Sequence, residues 1–498
     1  MSKTILINKG LQENRVAILE KDSLDEFFIE RAGEKTIVGN IYKAKVDSIA
    51  ASLNAAFVDI GLAKKGFLYL NEVASLPDFS QDIIEESDSS GESKKPGLPD
   101  LKVGDEILVQ VVKEQFGTKG ARLTRKISLP GRYLVLLPQE SIIGISRRIE
   151  DDAERRRLKE LMKSLRLPAN FGFVVRTVSV GAGRKQLQRD AKFLLKVWHR
   201  ISKIAKSRKP PALIHEEFDL IMRTVRDSFT EEVDSLLIDS KREFHIIRRF
   251  VRIYSPSLLK RIQLYRGKGT LFEKFKVEEK IEQIYDRKVN LKSGGYLYIE
   301  PTEGLVVIDV NSGRFKGSPS TQAHKAQEDM AFNVNMDAAT EIARQLRLRD
   351  LGGLIVIDFI DMSREAHRKE LLNRFKGLLS KDRAKTDVIR ISEFGILEMT
   401  RQRQRRSAES VAYQICPYCQ GRGKIKSIET IAISCLRLLN QTLFEGKKKK
   451  LLVSLNPQVV EHFNVAHKQT LINLESRFKT SIILNPSPHL HLEKIIIE

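Results

Sequence analysis

The sequence predicts a multi-domain α/β protein that carries a small inserted Greek-key β-barrel of the OB type. Three observations predict it. The chain has 498 residues, which at about 100–200 residues per domain means about three domains or more, each long enough to bury a core. Strand-like alternation is dense from Ile37 to Glu72 and resumes from Ile107 to Val112, in short segments broken by Gly61 and Gly66, the pattern of a small closed barrel. Further on, the apolar runs in GLVVIDVNSG and LIVIDFID flank a long amphipathic helix, about Gln322 to Arg347, in the order of a parallel crossover unit.

The elements follow in order. Residues 1–35 read as short strands separated by turn residues. Between the two barrel stretches, Ser80 to Asp100 is polar and rich in Ser, Gly and Pro, so it adds little core and reads as a mobile loop. A helix is expected from Asp151 to Leu165, then a strand and Gly-rich turn in FGFVVRTVSVGAG, then a helix from near Gln186. The middle, Phe193 to Arg266, reads as helical and strongly basic, with Pro210 and Pro211 ending a helix. GGYLYIEP is a strand preceding the crossover, and after Ser427 the order helix, strand, helix, strand predicts a small terminal α/β unit. No internal repeat is present.

Composition narrows the class of partner. Lys and Arg number 86 against 64 Asp and Glu, a formal charge of +22, and such an excess favours a polyanion, because neutralised phosphates release counterions. Nucleic acid is preferred over an anionic membrane, since no apolar run approaches the roughly 20 residues of a membrane span and the first residues lack a signal pattern. A cytoplasmic protein is expected. Three cysteines cannot build a disulfide framework and suit a reducing compartment.

Four constellations could carry chemistry. Asp309 and Asp358 each follow an apolar run at the end of a strand; two carboxylates brought side by side repel unless a cation lies between them, and hard oxygen ligands suit magnesium. Asn311, two residues along, shares a face with Asp309, whereas Asp361 in a continued strand would face away. The plainer alternative is that both aspartates cap turns. Cys416 and Cys419 in CPYCQGRG have the spacing that brings two thiolates to one zinc. A structural zinc needs four ligands, Cys435 lies in an apolar helical run, and a second copy of the chain could supply the other pair; a redox dithiol is the competing reading. Phe57 and Phe67 flank the VDIGLAKKG turn, with Lys64, Lys65 and Lys119 nearby, as stacking and phosphate groups of a nucleic-acid surface or as ordinary core and surface. Arg176 and Thr177 before the Gly-rich turn could grip a phosphate if a strand end lets them converge, the alternative being a surface Arg and a strand Thr. The runs Arg401 to Arg406 and Lys447 to Lys450 read as solvated surface. The histidines form no recognisable metal pair, and His489 and His491 on one strand face are weak evidence for one.

Together the motifs AAFVDIGLAKKGFL, PGRYLVLLP, GISRRIE, VVRT, IDVNSG, EIARQLRLRDLGGLIVIDFIDM, FGILEMTRQR and CPYCQGRG resemble the ribonuclease E/ribonuclease G endoribonucleases, in the order of that family and over the chain as far as about residue 426. The chain's short end resembles the ribonuclease G type. The resemblance implies a magnesium-dependent hydrolytic endoribonuclease that cuts single-stranded AU-rich RNA, leaves a 5′-phosphate product and is stimulated by a 5′ monophosphate, in ribosomal RNA 5′ maturation and mRNA decay. It implies Asp309 and Asp358 as magnesium ligands with Asn311 beside them as catalytic residues, and Phe57, Phe67 and Lys119 as the RNA contacts of an S1-type OB domain. It also implies a 5′-phosphate sensor at Gly131, Val135, Arg176, Thr177 and Lys385, and a zinc held by Cys416 and Cys419 that links two protomers into a homodimer, with dimers able to pair into a tetramer. Where the family often reads DRAR, this chain reads DRAK, so Lys385 lacks the planar fork of an arginine. Extra residues around FKGSPSTQAHKAQED are expected to lengthen a loop near the aspartates.

The implied domains are the first part of a ribonuclease H-like domain at 1–38, the S1-type OB domain at 39–125 and the 5′ sensor at 126–220. The second part of the ribonuclease H-like domain follows at 221–284, then a DNase I-like catalytic domain at 285–412, the zinc link at 413–426 and a small dimerisation-type domain at 427–498. Against catalysis stands a non-catalytic RNA-escort protein on the same fold; retention of Asp309, Asn311 and Asp358 argues for the enzyme. A redox or zinc chaperone built on the single Cys motif is the third reading.

Overall fold

The computed structural model describes residues 3–33, 36–70, 101–115, 119–302, 304–313, 323–380, 382–403, 412–446 and 449–498. The expected loop Ser80 to Asp100 and most of the insertion around FKGSPSTQAHKAQED lie outside the described residues. The chain forms two compact units, Met1–Val411 and Ala412–Glu498.

In the larger unit the N-terminal strands Lys3–Lys9, Glu13–Glu20 and Ser23–Arg31 form antiparallel hairpins whose first two strands are buried on both faces, through the consecutive runs Ile5–Ile7 and Val16–Leu19. Their sheet is completed from far along the chain: Lys3–Lys9 runs parallel to Ser235–Ile238, which runs parallel to Ile262–Leu264. Everything from about residue 40 to 215 is therefore inserted into one sheet. The insertion begins with a closed five-stranded barrel. Ile41–Ala50 pairs with Ala55–Asp59, which pairs with Gly66–Tyr69. Gly66–Tyr69 runs parallel to Arg122–Thr124, which pairs with Glu106–Lys113, and that strand returns to Ile41–Ala50. Its interior is filled by Val46, Ala56, Val58, Leu68, Val109 and Leu123, all essentially inaccessible, so the OB-type expectation from short alternating strands holds.

A four-stranded sheet, ordered Ile143–Ile145, Gly172–Val175, Leu134–Leu137 and Leu129–Pro130, follows the barrel. It packs on helices Asp152–Ser164 and Arg184–Ser207, the first capped by the Asp151 side chain, which accepts from the amides of Ala153 and Glu154. The middle of the chain departs from the helical reading. Three short strands, Ala212–His215, Ser235–Ile238 and Ile262–Leu264, alternate with the helices Leu220–Ser228 and Lys241–Tyr254. Strands of three or four residues leave too little period-two pattern to stand out between long basic helices.

The third sheet has the order Lys288–Asn290, Tyr296–Pro301, Leu305–Asn311, Gly353–Asp358, Ile396–Arg401, Thr386–Ile391. Leu305–Asn311 and Gly353–Asp358 are its parallel pair, joined through the helix Ala323–Leu348 as expected. That helix and Glu365–Leu379 cover one face through Val334, Ala338, Ile342, Leu371 and Phe375, which meet Ile308, Ile355 and Ile357.

The smaller unit contains helix Ile428–Glu445 with Ser427 as N-cap, then strand Lys450–Leu455 beside the parallel strand Ser481–Pro486. The helices Pro457–His462 and Lys468–Phe478 are joined by a π-helical turn, Phe463–His467, and the short strand Ile496–Ile497 completes the sheet. The helix–strand–helix–strand reading therefore holds, but His489 and His491 lie outside any strand. Cys435 is fully buried among Leu439, Leu451 and Phe463, and burial pushes its thiol up to about 12.

Candidate functional site

The parallel pairing of the third sheet sets Asp309 directly opposite Asp358. The neighbours Ile308 and Ile357 are fully buried on the helix-covered face, so alternation turns both carboxylates to the other, open face. Asn311, on the same face, donates from Nδ2 to Asp309 Oδ2 at 2.7 Å. Tyr298, opposite Asp309 on the preceding strand, is half-exposed on that face as well. Burial, the Asp309 charge and the Asp361 charge together push the Asp358 carboxyl above the ordinary aspartate value. Among the described residues no lysine or arginine forms an ion pair with any of these three aspartates. They repel one another and have no counter-ion among the described residues.

Asp361 corrects an expectation. The strand ends at Asp358, so alternation no longer governs residue 361, whose carboxylate instead adds to the negative field at Asp358. The segment is held there by two residues that motif reading missed. Asn335, fully buried on the long helix, donates to Ile360 O at 2.8 Å and accepts from Ile360 N at 3.0 Å. Glu328 accepts from the amides of Ser363 and Arg364, each at 3.0 Å, at the start of the next helix. Gly395, at φ +77°, lets the chain pass so close that a Cβ would lie 2.7 Å from Phe359 O. The available signal for Asn335 was a polar residue beside Val334 in the mostly apolar stretch MAFNVNMDAA, which also holds Asn333.

On the barrel, Phe57 and Phe67 are direct cross-strand partners with ring centroids 5.8 Å apart. Tyr69 continues the row edge-to-face with Phe67 at 4.8 Å, and the Arg122 guanidinium lies 5.0 Å from the Tyr69 centroid. All three rings are at least partly exposed, unlike the barrel core, so they form a usable stacking strip. Tyr69 could have been found from its spacing of two from Phe67. Lys119 is exposed, and at the next residue, Gly120, the chain passes so close to the Lys65 carbonyl that a Cβ there would lie 1.9 Å from its oxygen. Lys65 itself is paired with Asp47 at 2.5 Å.

The predicted phosphate-gripping residues lie where the Gly172–Val175 strand ends. Arg176 follows that strand and precedes the one-turn helix Thr177–Ser179, so strand alternation does not separate it from Thr177, whose side chain is exposed. Arg176 Nη1 donates to Gly131 O at 2.5 Å and to Asp227 Oδ1 at 2.7 Å. Asp227 also takes two bonds from Arg226, whose Nη1 reaches Glu217 at 2.6 Å. Burial opposes charge on Asp227, but the Arg226 and Arg176 guanidinium groups outweigh it and hold the carboxyl well below the usual range. Gly131 is required sterically, since a Cβ there would lie 2.6 Å from both Asp190 carboxylate oxygens. Buried Asp190 accepts from the amides of Arg132, Tyr133 and Leu134, and burial pushes its carboxyl up. Val135 is buried in the sheet. Lys385 is exposed, whereas Arg383, two residues earlier, reaches Ser228 Oγ at 2.8 Å, next to Asp227. The residues missed here are Glu217, Arg226, Asp227 and Arg383.

In the smaller unit, Gln420, Gly421 and Gly423 all have positive φ. The loop curls its amides toward Cys419, and the Gly423 and Gly421 N–H groups, with the Cys416 thiol, lower the Cys419 pKa. His491 is committed elsewhere: its Nδ1 accepts from Glu493 N at 3.1 Å, so Nε2 donates to Tyr418 O at 2.7 Å.

Residues 128–404 match the model of the ribonuclease E/G family, and residues 415–498 match the thioredoxin-like domain of ribonuclease E/G. The chain is 41% identical over 488 residues to ribonuclease E of Haemophilus influenzae, covering 97% of this chain and 51% of that protein. It is 38% identical over 479 residues to ribonuclease G of Escherichia coli K12, covering 95% of each, and 39% identical over 504 residues to ribonuclease E of the same strain, covering 46% of it. The chain thus spans about half the length of its ribonuclease E relatives and nearly all of ribonuclease G. No helix among the described residues is long and apolar enough to cross a membrane.

Proposed function

The chain belongs to the ribonuclease E/G family, and from that premise we propose that it is a magnesium-dependent endoribonuclease acting on single-stranded RNA. The observation that carries this reading is the register of Asp309 against Asp358 on an open sheet face, with Asn311 bonded to Asp309 and Asp361 adding to the field. The donor set fits a hard divalent cation: exposed carboxylate oxygens, mutually repelling and without a cationic partner among the described residues. Asp309 and Asp358 would hold it. Bound there, magnesium would polarise a scissile phosphate and make an attacking water more acidic.

The chain's own residues do the rest. Asn311 fixes the Asp309 carboxylate, and Asn335 and Glu328 hold the segment that follows Asp358, so the carboxylates need not reorganise when substrate arrives. The attack of water on phosphorus breaks the bond to the 3′ oxygen, leaving a 3′ hydroxyl upstream and a 5′ phosphate downstream. Phe57, Phe67 and Lys119 hold the strand by stacking and charge, with Tyr69 and Arg122 extending the strip. Arg176 and Thr177 take a 5′ monophosphate, with Gly131 and Val135 lining the backbone side. The exposed Lys385 would add a positive charge there, alongside the Arg383 guanidinium that reaches Ser228 Oγ. Cys416 and Cys419 supply two of the four thiolates of a zinc shared with a second copy. The implied domain series, from the discontinuous ribonuclease H-like sheet at 1–38 and 221–284 to the DNase I-like domain at 285–412, belongs to the same proposal. So do action on AU-rich sites and roles in ribosomal RNA maturation and mRNA decay.

The test is cleavage of a single-stranded AU-rich RNA bearing a 5′ monophosphate or a 5′ hydroxyl, by wild type and Asp358→Asn. Internal cleavage by wild type, faster on the monophosphate, with binding but no cleavage by the variant, is expected. Binding without cleavage by wild type under any divalent metal would leave the RNA-escort reading in its place.

A further inference from the structure

The smaller unit holds a second group of metal-type ligands, separate from the Cys416–Cys419 loop. His462 Nε2 lies 2.5 Å from Glu429 Oε2, and His467 Nε2 lies 3.2 Å from the same oxygen. The three ligand atoms all fall within 4.8 Å of one another. In a regular α-helix residues five apart point about 140° away from each other. Here the π-helical turn Phe463–His467 inserts the extra residue that returns both imidazoles to one side, with ring centroids 5.6 Å apart. Phe463 between them is fully buried and anchors the turn in the core. Glu429 projects from the first turn of the helix Ile428–Glu445, whose start is capped by Ser427. Such π-turns are rare and concentrate at functional sites.

We propose that Glu429, His462 and His467 form a binding site for a divalent transition ion of the zinc class, which pins the start of helix Ile428–Glu445 to the π-turn. Two imidazole nitrogens with one carboxylate select zinc, cobalt, nickel or copper over magnesium and calcium. Metal–ligand bonds of about 2.0–2.2 Å place tetrahedral ligand atoms about 3.3 Å apart. The Glu429–His467 pair already has that spacing, His462 needs to withdraw from Glu429 by less than about 1 Å, and the two imidazole nitrogens, within 4.8 Å of each other, need to settle at the same separation. The His and Glu side chains are partly exposed, 31% for His462, 17% for His467 and 51% for Glu429, so the remaining coordination position faces water. Three protein ligands and one open position make an exchangeable site rather than a closed structural one.

The test uses the full chain, stripped of metal and titrated with cobalt and then zinc. Cobalt at the His–Glu site gives visible ligand-field bands without the sulfur charge-transfer band expected from the Cys loop. In a Cys416→Ser, Cys419→Ser background one equivalent of zinc per chain should still bind and raise the melting temperature. His462→Gln with His467→Gln should weaken that uptake at least tenfold while leaving the metal-free melting temperature unchanged. In the otherwise wild-type chain the same histidine pair should remove one zinc per chain and keep the sulfur band. Equal zinc affinity with and without the two histidines, or uptake only at millimolar zinc, would overturn the proposal.

Discussion

Two groups of carboxylates in the larger unit have opposite electrostatic situations. Asp309, Asp358 and Asp361 stand together at an exposed strand end, where partial burial and then the charges of Asp309 and Asp361 raise the pKa of Asp358, and they have no basic partner among the described residues. Asp227 and Glu217 sit in the interior, each gripped by Arg226, with Arg176 adding a second cation to Asp227, and the Asp227 pKa is driven down. The first group is incomplete without an external cation, and the second is already complete. A carboxylate cluster that remains unneutralised after folding is the one that points to a metal, while one neutralised by guanidinium groups holds a loop in shape.

The comparison can be broken or sharpened by substitution. The largest effect is expected at Asp358→Asn: RNA cleavage should fall about a thousandfold or more, the several kcal/mol that a bound metal supplies, with RNA affinity retained in a gel-shift titration. Asp227→Asn should instead unfold the protein more readily, by about 3 kcal/mol in urea melts, because the buried Arg226 and the half-buried Arg176 each lose a charged partner. Its pH dependence should differ in a defined sense. The folded-state pKa of Asp227 is depressed, so its stabilisation is present above the unfolded value of about 3.9 and is lost as pH falls below it. Asp227→Asn should therefore flatten stability against pH on the acid side of about pH 4, measured by urea unfolding at a series of pH values. Phe67→Ala should weaken single-stranded RNA binding by about 1–3 kcal/mol without changing the metal dependence of cleavage. The smallest effect, and of opposite sign to Asp227→Asn, is expected at Asp309→Asn in metal-free buffer. Removing one of the repelling charges should raise stability by at most about 1 kcal/mol.

The exposed group was legible in the sequence because its chemistry follows from strand periodicity. LVVID and LIVID each announce a buried strand with an acid at its end, and the intervening helix dictates a parallel partner. Asp361 was misread because the strand stops three residues before it, a boundary that alternation cannot show. The interior group was not legible. Arg176 meets Asp227 across 51 residues and Arg383 meets Ser228 across 155, and nothing in the local pattern of either partner marks the other. The barrel was legible from short alternating strands, including the edge of its aromatic row, but Tyr69 was passed over although it shares a face with Phe67. In the smaller unit the order of elements was plain. The His462–His467 pair was hidden because a spacing of five has meaning only once the π-turn is known.

The most direct measurement is calorimetric titration of magnesium into wild type and into an Asp309→Asn, Asp358→Asn double variant, with the metal-free melting temperature of each recorded alongside. The account predicts that wild type binds magnesium, that the double variant does not, and that the variant without metal is at least as stable as wild type. Undiminished magnesium binding by the variant, or a loss of several kcal/mol in its metal-free stability, would contradict the claim that this carboxylate pair is built to receive an external cation.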